Sequence, residues 1–163
     1  MKKNPIIDIY LHHEHDYKSF FNENKLSNKL SMYIIDECKG FPYNCDLELH
    51  FKTDFELTSS EKIKIRSMIR SNFDGEVREN IIYMDKLFKK DILLFLFGCL
   101  FILIAVNIEK NSPVISEIIL IIGWVGIWEV IYSVFFSDYK KRLEIKRYKQ
   151  LSNSKITFSV NKM

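Results

Sequence analysis

A cluster of side chains that commonly bind metals follows the first apolar stretch of the chain. Its members are His12, His13, Glu14, His15 and Asp16. In an extended chain His13 and His15 share one side, because successive side chains alternate. The only other candidate ligands are the isolated His50 and Cys45, and local spacing alone is weak support for a metal site. His13 and His15 therefore stand as weak metal-site candidates, with a solvated loop as the alternative.

Glu129 is the most informative single residue, because it interrupts a long apolar segment. It lies about 10–12 Å inside the end of that segment at about 1.5 Å per helical residue. A carboxylate at that depth in a membrane is costly and is usually functional or partnered. With Gly126, Tyr132 and Ser133 it makes a small and polar stripe that should face protein or water. Three interpretations stay open. The carboxylate reaches the interface or a nearby lysine, lies between subunits or along a pore, or relays protons.

Small and aromatic residues alternate just before Glu129. Gly123 allows another helix to approach closely, and Trp124 and Trp128 lie one turn apart. Tryptophans often mark the membrane interface, but Trp124 lies nearer the middle of the segment. The pattern therefore predicts helix packing through Gly123, Trp124 and Trp128. It is not a GxxxG spacing, so it does not predict a dimer motif.

A basic run follows the same apolar segment. Its cations are Lys140, Lys141, Arg142, Lys146, Arg147 and Lys149. Such a run binds anionic lipid headgroups at about 1 kcal/mol per charge. It also fixes the orientation of the chain in the membrane, and the two roles are compatible.

Catalytic signatures are absent from the sequence. There is no glycine-rich phosphate loop, no GxSxG elbow and no paired carboxylates in a recognisable context. We therefore predict neither an enzyme nor a cofactor, and a metal-dependent enzyme would rest on the histidine cluster alone.

The apolar residues are concentrated in two segments. The chain has 163 residues, of which 47% are hydrophobic. Ile92–Ile108 contains no charge, and Val114–Phe136 contains only Glu117 and Glu129. Spanning a bilayer takes roughly 20 helical residues, with a range near 17–25. A chain of this size has little else to cover two buried core helices. The pattern therefore predicts a transmembrane helical hairpin with a short loop that contains Pro113.

Charges on both sides of the hairpin predict its orientation. Lys86, Lys89 and Lys90 precede the first segment, and the basic run follows the second. The positive-inside rule therefore places both termini in the cytoplasm, in a bacterial inner membrane. Residues 1–91 are nearly neutral, with 15 Lys and Arg against 16 Asp and Glu. This balance gives no support for nucleic-acid binding.

Short alternating segments predict a small cytoplasmic α/β domain. The predicted strands are Pro5–Leu11, Asp46–Thr53 and Lys155–Val160. The last strand should join the first two, because an isolated strand has no partner. The predicted domains are 1–91, the hairpin 92–136, and 137–163 as a basic helix and a strand that returns to the first domain.

Two helices complete this predicted domain of about three strands and two helices. The first begins between Asn24 and Ser27, and its apolar face carries Leu26, Leu30, Tyr33, Ile34 and Cys38. The second begins at a capping box, Thr58-Ser59-Ser60-Glu61, and its apolar face runs into the first membrane segment. Gly75 is the one place where we expect a kink or a break.

Parts of the chain resemble a family of small bacterial two-pass membrane proteins that has no established activity. The similar residues are Glu117, Gly123, Trp124, Val125 and Trp128, then Tyr148 and Leu151, and upstream Leu26, Ser27, Tyr33, Ile34, Ile69, Arg70 and Phe73. The family usually leaves the membrane at Tyr/Asp-Trp-Trp-Pro, whereas this chain has Phe135-Phe136-Ser137-Asp138. The resemblance implies the two-pass topology and no chemistry.

Two hypotheses for function follow. The first is an oligomeric membrane effector, a pore or a perturbing assembly, controlled by the cytoplasmic domain. A class-level similarity to antiphage effectors suggests a stress or defence pathway for it. The second is a non-conducting anchor that recruits a cytoplasmic partner. Two helices alone poorly shelter the stripe at Glu129 from lipid, so we expect a homo-oligomer in either case.

Overall fold

The computed structural model describes residues 5–13 and 15–160. This part of the chain combines a small α/β fold with long helices. In chain order the elements are β1 Ile6–Leu11, β2 Lys18–Ser19, β3 Asn22–Leu26, α1 Asn28–Cys38, β4 Glu48–Thr53, α2 Ser59–Ile108, α3 Pro113–Tyr132, a π-helical turn Ser133–Ser137, α4 Asp138–Ser152 and β5 Lys155–Val160.

The chain divides into two compact units. The first, which we call the sheet unit, comprises Met1–Arg78 and Ile145–Met163. The second, the hairpin unit, comprises Glu79–Glu144. Each unit is described by itself below.

A three-stranded parallel sheet is the centre of the sheet unit. Its strand order is β1-β4-β5, with Ile6 opposite Glu48 and Glu48 opposite Lys155. The N–H of Lys155 donates to the carbonyl oxygen of Leu47 at 3.0 Å. The prediction that the last strand joins the first two is therefore confirmed.

One face of this sheet is apolar and the other is polar. Ile9, Leu49 and Phe51 are buried in a single core with residues of α1 and α2. On the opposite face Lys52 donates to Asp8 at 2.8 Å, and the His50 ring is 2.7 Å from the Ser159 hydroxyl. Parallel sheets are usually covered on both faces. In this sheet cross-strand polar pairs occupy the open face.

The start of α1 differs from its predicted position. Residues 22–26 form β3, which pairs with β2 in a small antiparallel hairpin, and α1 begins only at Asn28. Tyr17 and Leu26 are buried in the core, so tertiary burial favours the hairpin over an earlier helical turn. Sequence analysis missed this hairpin because its strands are short and mostly polar.

The capping box at the start of α2 is confirmed. The Thr58 N–H donates to Glu61 Oε2 at 2.8 Å, and the Glu61 N–H donates to Thr58 Oγ1 at 3.3 Å. Both bonds satisfy amide groups that the first helical turn leaves without partners. The Thr58 hydroxyl also donates to Glu61 Oε2 at 2.7 Å, and this hydrogen bond, together with that from the Thr58 N–H, lowers the pKa of Glu61 below its ordinary value of 4.5.

This lowered pKa predicts a pH-dependent stability. Glu61 binds its proton more weakly in the folded chain, so its stabilising effect is complete above the unfolded pKa. The effect is lost as the pH falls through the folded pKa. We expect Glu61→Gln to lower the thermal unfolding midpoint at neutral pH and to have a smaller effect in acid. Thermal unfolding across this pH range checks it, with the exposed Glu56→Gln as the matched control. Equal effects of both substitutions at every pH would contradict the prediction.

The predicted break at Gly75 is wrong, because α2 runs without interruption from Ser59 to Ile108; the alternative of a kink stays a prediction. A single interior glycine costs only about 1 kcal/mol relative to alanine. Contacts on the preceding turn outweigh that cost. Asn72 donates to the Ser31 hydroxyl at 3.0 Å, and Asp74 accepts from the Ser152 hydroxyl at 2.6 Å.

Candidate functional site

Two helices are long and apolar enough to cross a membrane. One is α2, and the other is the continuous helix Pro113–Ser152 that includes α3 and α4. Only 17% of the apolar window of the first and 6% of that of the second are buried. A core helix of a soluble protein would be mostly buried. Most side chains of these two apolar windows therefore lie outside the protein interior.

The two helices cross at a pair of glycines. A Cβ atom added to Gly123 would lie 2.9 Å from the carbonyl oxygen of Gly98 and 2.8 Å from Cγ1 of Ile102. One added to Gly98 would lie 3.0 Å from the carbonyl oxygen of Gly123. Neither position accepts a side chain without movement of the backbone. The predicted packing role of Gly123 therefore has a direct geometric basis.

Further polar and small residues extend this contact in both directions. The Ser116 hydroxyl donates to the carbonyl oxygen of Ala105 at 2.8 Å, and both residues are buried. At the other end the Ser133 hydroxyl donates to Asp91 Oδ2 at 2.7 Å. Asp91 is 5% exposed. Sequence analysis missed Asp91, Gly98 and Ala105, although their seven-residue spacing is the signal of a helix-packing seam.

The predicted polar stripe divides between two sides of the helix. Gly126 lies against α2, where an added Cβ would be 3.7 Å from Gly98 Cα, and Ser133 bonds Asp91. Glu129 and Tyr132 are exposed on the outside of the hairpin. A single chain therefore shelters only part of the stripe, and its burial in a homo-oligomer stays a prediction. Helical spacing groups residues that are i, i+3 and i+7 apart, but it does not reveal where the edge of the packed face lies.

Glu129 is consequently a carboxylate on an apolar surface. Among the described residues it makes no hydrogen bond or ion pair. No lysine of the basic run reaches it within the chain. The interpretation of an intramolecular lysine partner loses its support, and the other interpretations of Glu129 stay predictions.

The two tryptophans do not pack against the other helix of the same chain, and packing between copies stays a prediction. Trp124 is 57% exposed and Trp128 is 65% exposed. Both lie on the outer surface of α3, since the glycine seam occupies the opposite side. Large indole rings have no room where two backbones approach this closely.

The π-helical turn changes the direction in which α4 faces. One extra residue per turn rotates the following helix by about 100° relative to an α-helical continuation. Asp138, the first residue of α4, is 7% exposed, and its Oδ1 has no hydrogen-bond partner in the described structure. The N–H of Asp138 donates to the carbonyl oxygen of Ser133. Two buried carboxylates, Asp91 and Asp138, therefore lie close to Ser133.

The basic run separates into exposed and engaged cations. Lys140, Arg142, Lys146 and Lys149 are exposed. Lys141 bonds Glu144 at 2.6 Å and lies over the ring of Tyr83. Arg147 is buried at 8% exposure and donates to the carbonyl oxygen of Phe41 at 2.8 Å.

Arg147 must therefore be removed from the predicted headgroup set. Its guanidinium also lies 4.1 Å from the ring centre of Tyr43. A cation held by protein groups on several sides is not available to lipid. Arginine in a basic sequence run does not reveal this, because its partners lie about a hundred positions away in the chain.

The histidine cluster lies on the loop after β1. The backbone N–H groups of His12 and His13 both donate to Asp16 Oδ2 at 2.8 Å, and the His12 ring is 2.7 Å from Asp54. Within residues 5–13 and 15–160, no group of three or more His, Cys, Asp or Glu residues is arranged to hold a metal. Glu14 lies outside the described residues. The polar contacts of this loop hold the backbone turn together.

The sheet unit also exposes an aromatic pair. Phe20 and Phe21 join β2 to β3, at 95% and 94% exposure, and their rings meet edge to face with centroids 5.3 Å apart. They border a groove of about 1090 Å³ beside β1 and α1, which Tyr10, Leu30 and Tyr33 also line. Sequence analysis missed this surface because it did not predict the hairpin that presents it.

The chain was compared with family models, with curated proteins and with solved structures, and none of them matches it.

Proposed function

We propose that this chain is a two-span bacterial inner-membrane protein with both termini in the cytoplasm. The exposed apolar surface of the two long helices carries this proposal. Exposing so many large apolar side chains to water is unfavourable at about 25 cal/mol per Å². Lipid removes that cost, and the helices satisfy their backbone hydrogen bonds internally, as the hydrocarbon region requires.

We further propose that the hairpin self-associates into an effector that perturbs the membrane. Glu129 supports this step, because it is exposed on the lipid-facing side of α3 and lacks a partner in the described chain. A charged residue at the centre of a membrane helix costs about 2.5–3.5 kcal/mol even on insertion scales. In an assembly of several copies this carboxylate is sheltered from lipid and is in contact with water. The sheet unit then controls the assembly, in a stress or antiphage defence pathway.

Lipid headgroups are the second partner in this proposal. The exposed cations Lys140, Arg142, Lys146 and Lys149 follow the second apolar segment. Each contributes about 1 kcal/mol of attraction to an anionic leaflet. They hold the end of the hairpin at the cytoplasmic surface.

A non-conducting adaptor is the second candidate function. The exposed pair Phe20 and Phe21 favours it, because isolated aromatic rings at full exposure are typical of a partner-binding surface. In this alternative the hairpin only anchors the sheet unit, and a soluble protein covers the aromatic pair.

Membrane potential in cells that overproduce the chain separates the two functions. An effector should depolarise the inner membrane, as measured with a voltage-sensitive dye. The same cells should yield a homo-oligomer in mild detergent. A normal potential with the oligomer intact would contradict the effector and favour the adaptor, whereas a monomer would contradict self-association in either case.

A further inference from the structure

The arginines of this chain are concentrated on one flank of α2. The sequence has 19 Lys but only five Arg, and three of these, Arg66, Arg70 and Arg78, fall within sixteen residues. They line an open groove of about 690 Å³ together with Ile63, Ser67 and Ser71. Arginine differs from lysine in binding carboxylate and phosphate groups with a planar, two-pronged fork. This groove therefore suits an anionic occupant.

Two of the arginines are available for such an occupant. Within the described chain, Arg70 and Arg78 are exposed and make no ion pair or hydrogen bond. Asp74 is the one acidic residue in the groove, and it accepts a hydrogen bond from Ser152 at 2.6 Å. The groove keeps a net positive charge.

The groove borders the free edge of the parallel sheet. The Arg66 guanidinium donates to the carbonyl oxygen of Ile156 at 3.2 Å and lies 5.3 Å from the ring centre of Phe158. Both residues belong to β5, which is an edge strand. The Arg66 end of the groove is therefore next to this edge. Further along α2, Asp74 bonds Ser152, which precedes β5, so an extended segment must continue past the start of β5 to reach Arg70 and Arg78.

Backbone groups of β5 point outward along that edge. The Lys155 N–H bonds Leu47 of the preceding segment, so Lys155 and alternate residues after it face β4. Ile156, Phe158 and Val160 then direct their N–H and C=O groups away from the sheet. Arg66 satisfies the carbonyl of Ile156. Such an edge is a template for an added strand.

We propose that this edge and the arginine groove together bind an extended acidic segment of a partner polypeptide. The segment pairs with β5 as a fourth strand, and its carboxylates bind Arg70 and Arg78. From Ile63 to Arg78 the groove is about 22 Å long at 1.5 Å per residue. About seven extended residues cover that length at about 3.3 Å each. A strand edge and a row of arginines both fit an acidic peptide, whereas a small phosphate ligand would use the arginines alone. The inference does not depend on the proposed membrane activity.

Peptide binding to the full chain in non-ionic detergent tests this proposal. The probe is a fluorescein-labelled peptide of alternating Glu and Val, measured by anisotropy. The double variant Arg70→Gln with Arg78→Gln should weaken binding by about tenfold or more. Lys25→Gln is the control, because it removes an exposed cation outside the groove, and it should leave binding unchanged. Circular dichroism confirms that each variant is folded.

Backbone pairing is tested by a second probe. Methylation of alternate peptide nitrogens removes the donors that β5 would use, so the methylated peptide should also bind about tenfold more weakly or not at all. Undiminished binding of the methylated peptide, or equal binding to the double variant, would overturn the proposal. Failure of the unmodified peptide to bind would do so as well. Full displacement by inorganic tripolyphosphate, with methylation having no effect, would assign the arginines to a phosphate ligand instead.

Discussion

Cells overproducing the Glu129→Gln protein should keep their membrane potential, whereas cells overproducing the unaltered chain should lose it. Glutamine preserves the shape and the hydrogen bonding of the side chain but removes its charge. Glu129 is exposed on an apolar helix surface and has no partner in the described chain. If it lines an aqueous path in the oligomer, the substitution removes the fixed charge that attracts ions and water to that path.

Assembly should survive this substitution. Glutamine is still a polar side chain that needs a partner in hydrocarbon and hydrogen-bonds across helices, so the detergent mass should stay that of the oligomer. Glu117→Gln is the matched control, since Glu117 is also exposed in the second apolar segment but lies near its end, where it reaches water. It should leave depolarisation unchanged. An equal loss of potential with Glu129→Gln and with the unaltered chain would contradict a role for Glu129 in the effector.

Gly123→Ala and Gly98→Ala should each destabilise the hairpin by about 1–3 kcal/mol, the usual cost of overpacking. An added Cβ at Gly123 would meet the backbone oxygen of Gly98 at 2.9 Å, and backbone cannot rotate away as a side chain can. The helices must therefore separate along their whole seam. Unfolding of the purified chain in mixed micelles of mild detergent and dodecyl sulfate measures this effect.

Gly126→Ala is the control for that pair. Its added Cβ would lie 3.7 Å from Gly98 Cα and from the Leu94 carbonyl oxygen, which is ordinary contact. The substitution should be neutral or should stabilise the helix by up to about 1 kcal/mol. Equal unfolding midpoints for all three variants would contradict a close crossing at Gly98 and Gly123.

Much of the fold could be predicted because local patterns and burial agree. The alternation in the segments of β1 and β4 matches one buried face, and the capping box at Thr58 needs only residues within one turn. The near absence of charged residues and the length of the two apolar segments were enough to predict both apolar helices. Such signals are short-range in sequence, so no tertiary information is needed to interpret them.

The features that were missed depend on long-range contacts. Asp91 borders an apolar segment in sequence, and only the antiparallel packing of the second helix buries it against Ser133. Arg147 looks like its basic neighbours until Phe41 and Tyr43 are seen beside it. At Gly75 the sequence instead predicted a feature that is absent. Local propensity favours a break there, but tertiary contacts on the preceding turn keep the helix intact.

The cysteines also have a property that depends on tertiary burial and not on local sequence. All three, Cys38, Cys45 and Cys99, are free. Burial raises the pKa of Cys38 to about 11. This thiol is therefore a poor nucleophile at neutral pH, a property that its position in the sequence does not reveal.

The central claim is that two helices span the membrane with their connecting loop outside the cytoplasm. The most direct measurement is labelling of Asn111→Cys, in a background without the native cysteines, by a membrane-impermeant maleimide. Asn111 is exposed in the loop between α2 and α3, and Asn153→Cys is the matched position after α4. We predict that residue 111 is labelled in intact spheroplasts, whereas residue 153 is labelled only after lysis. Labelling of residue 111 only after lysis, or of both residues before it, would contradict the two-span topology.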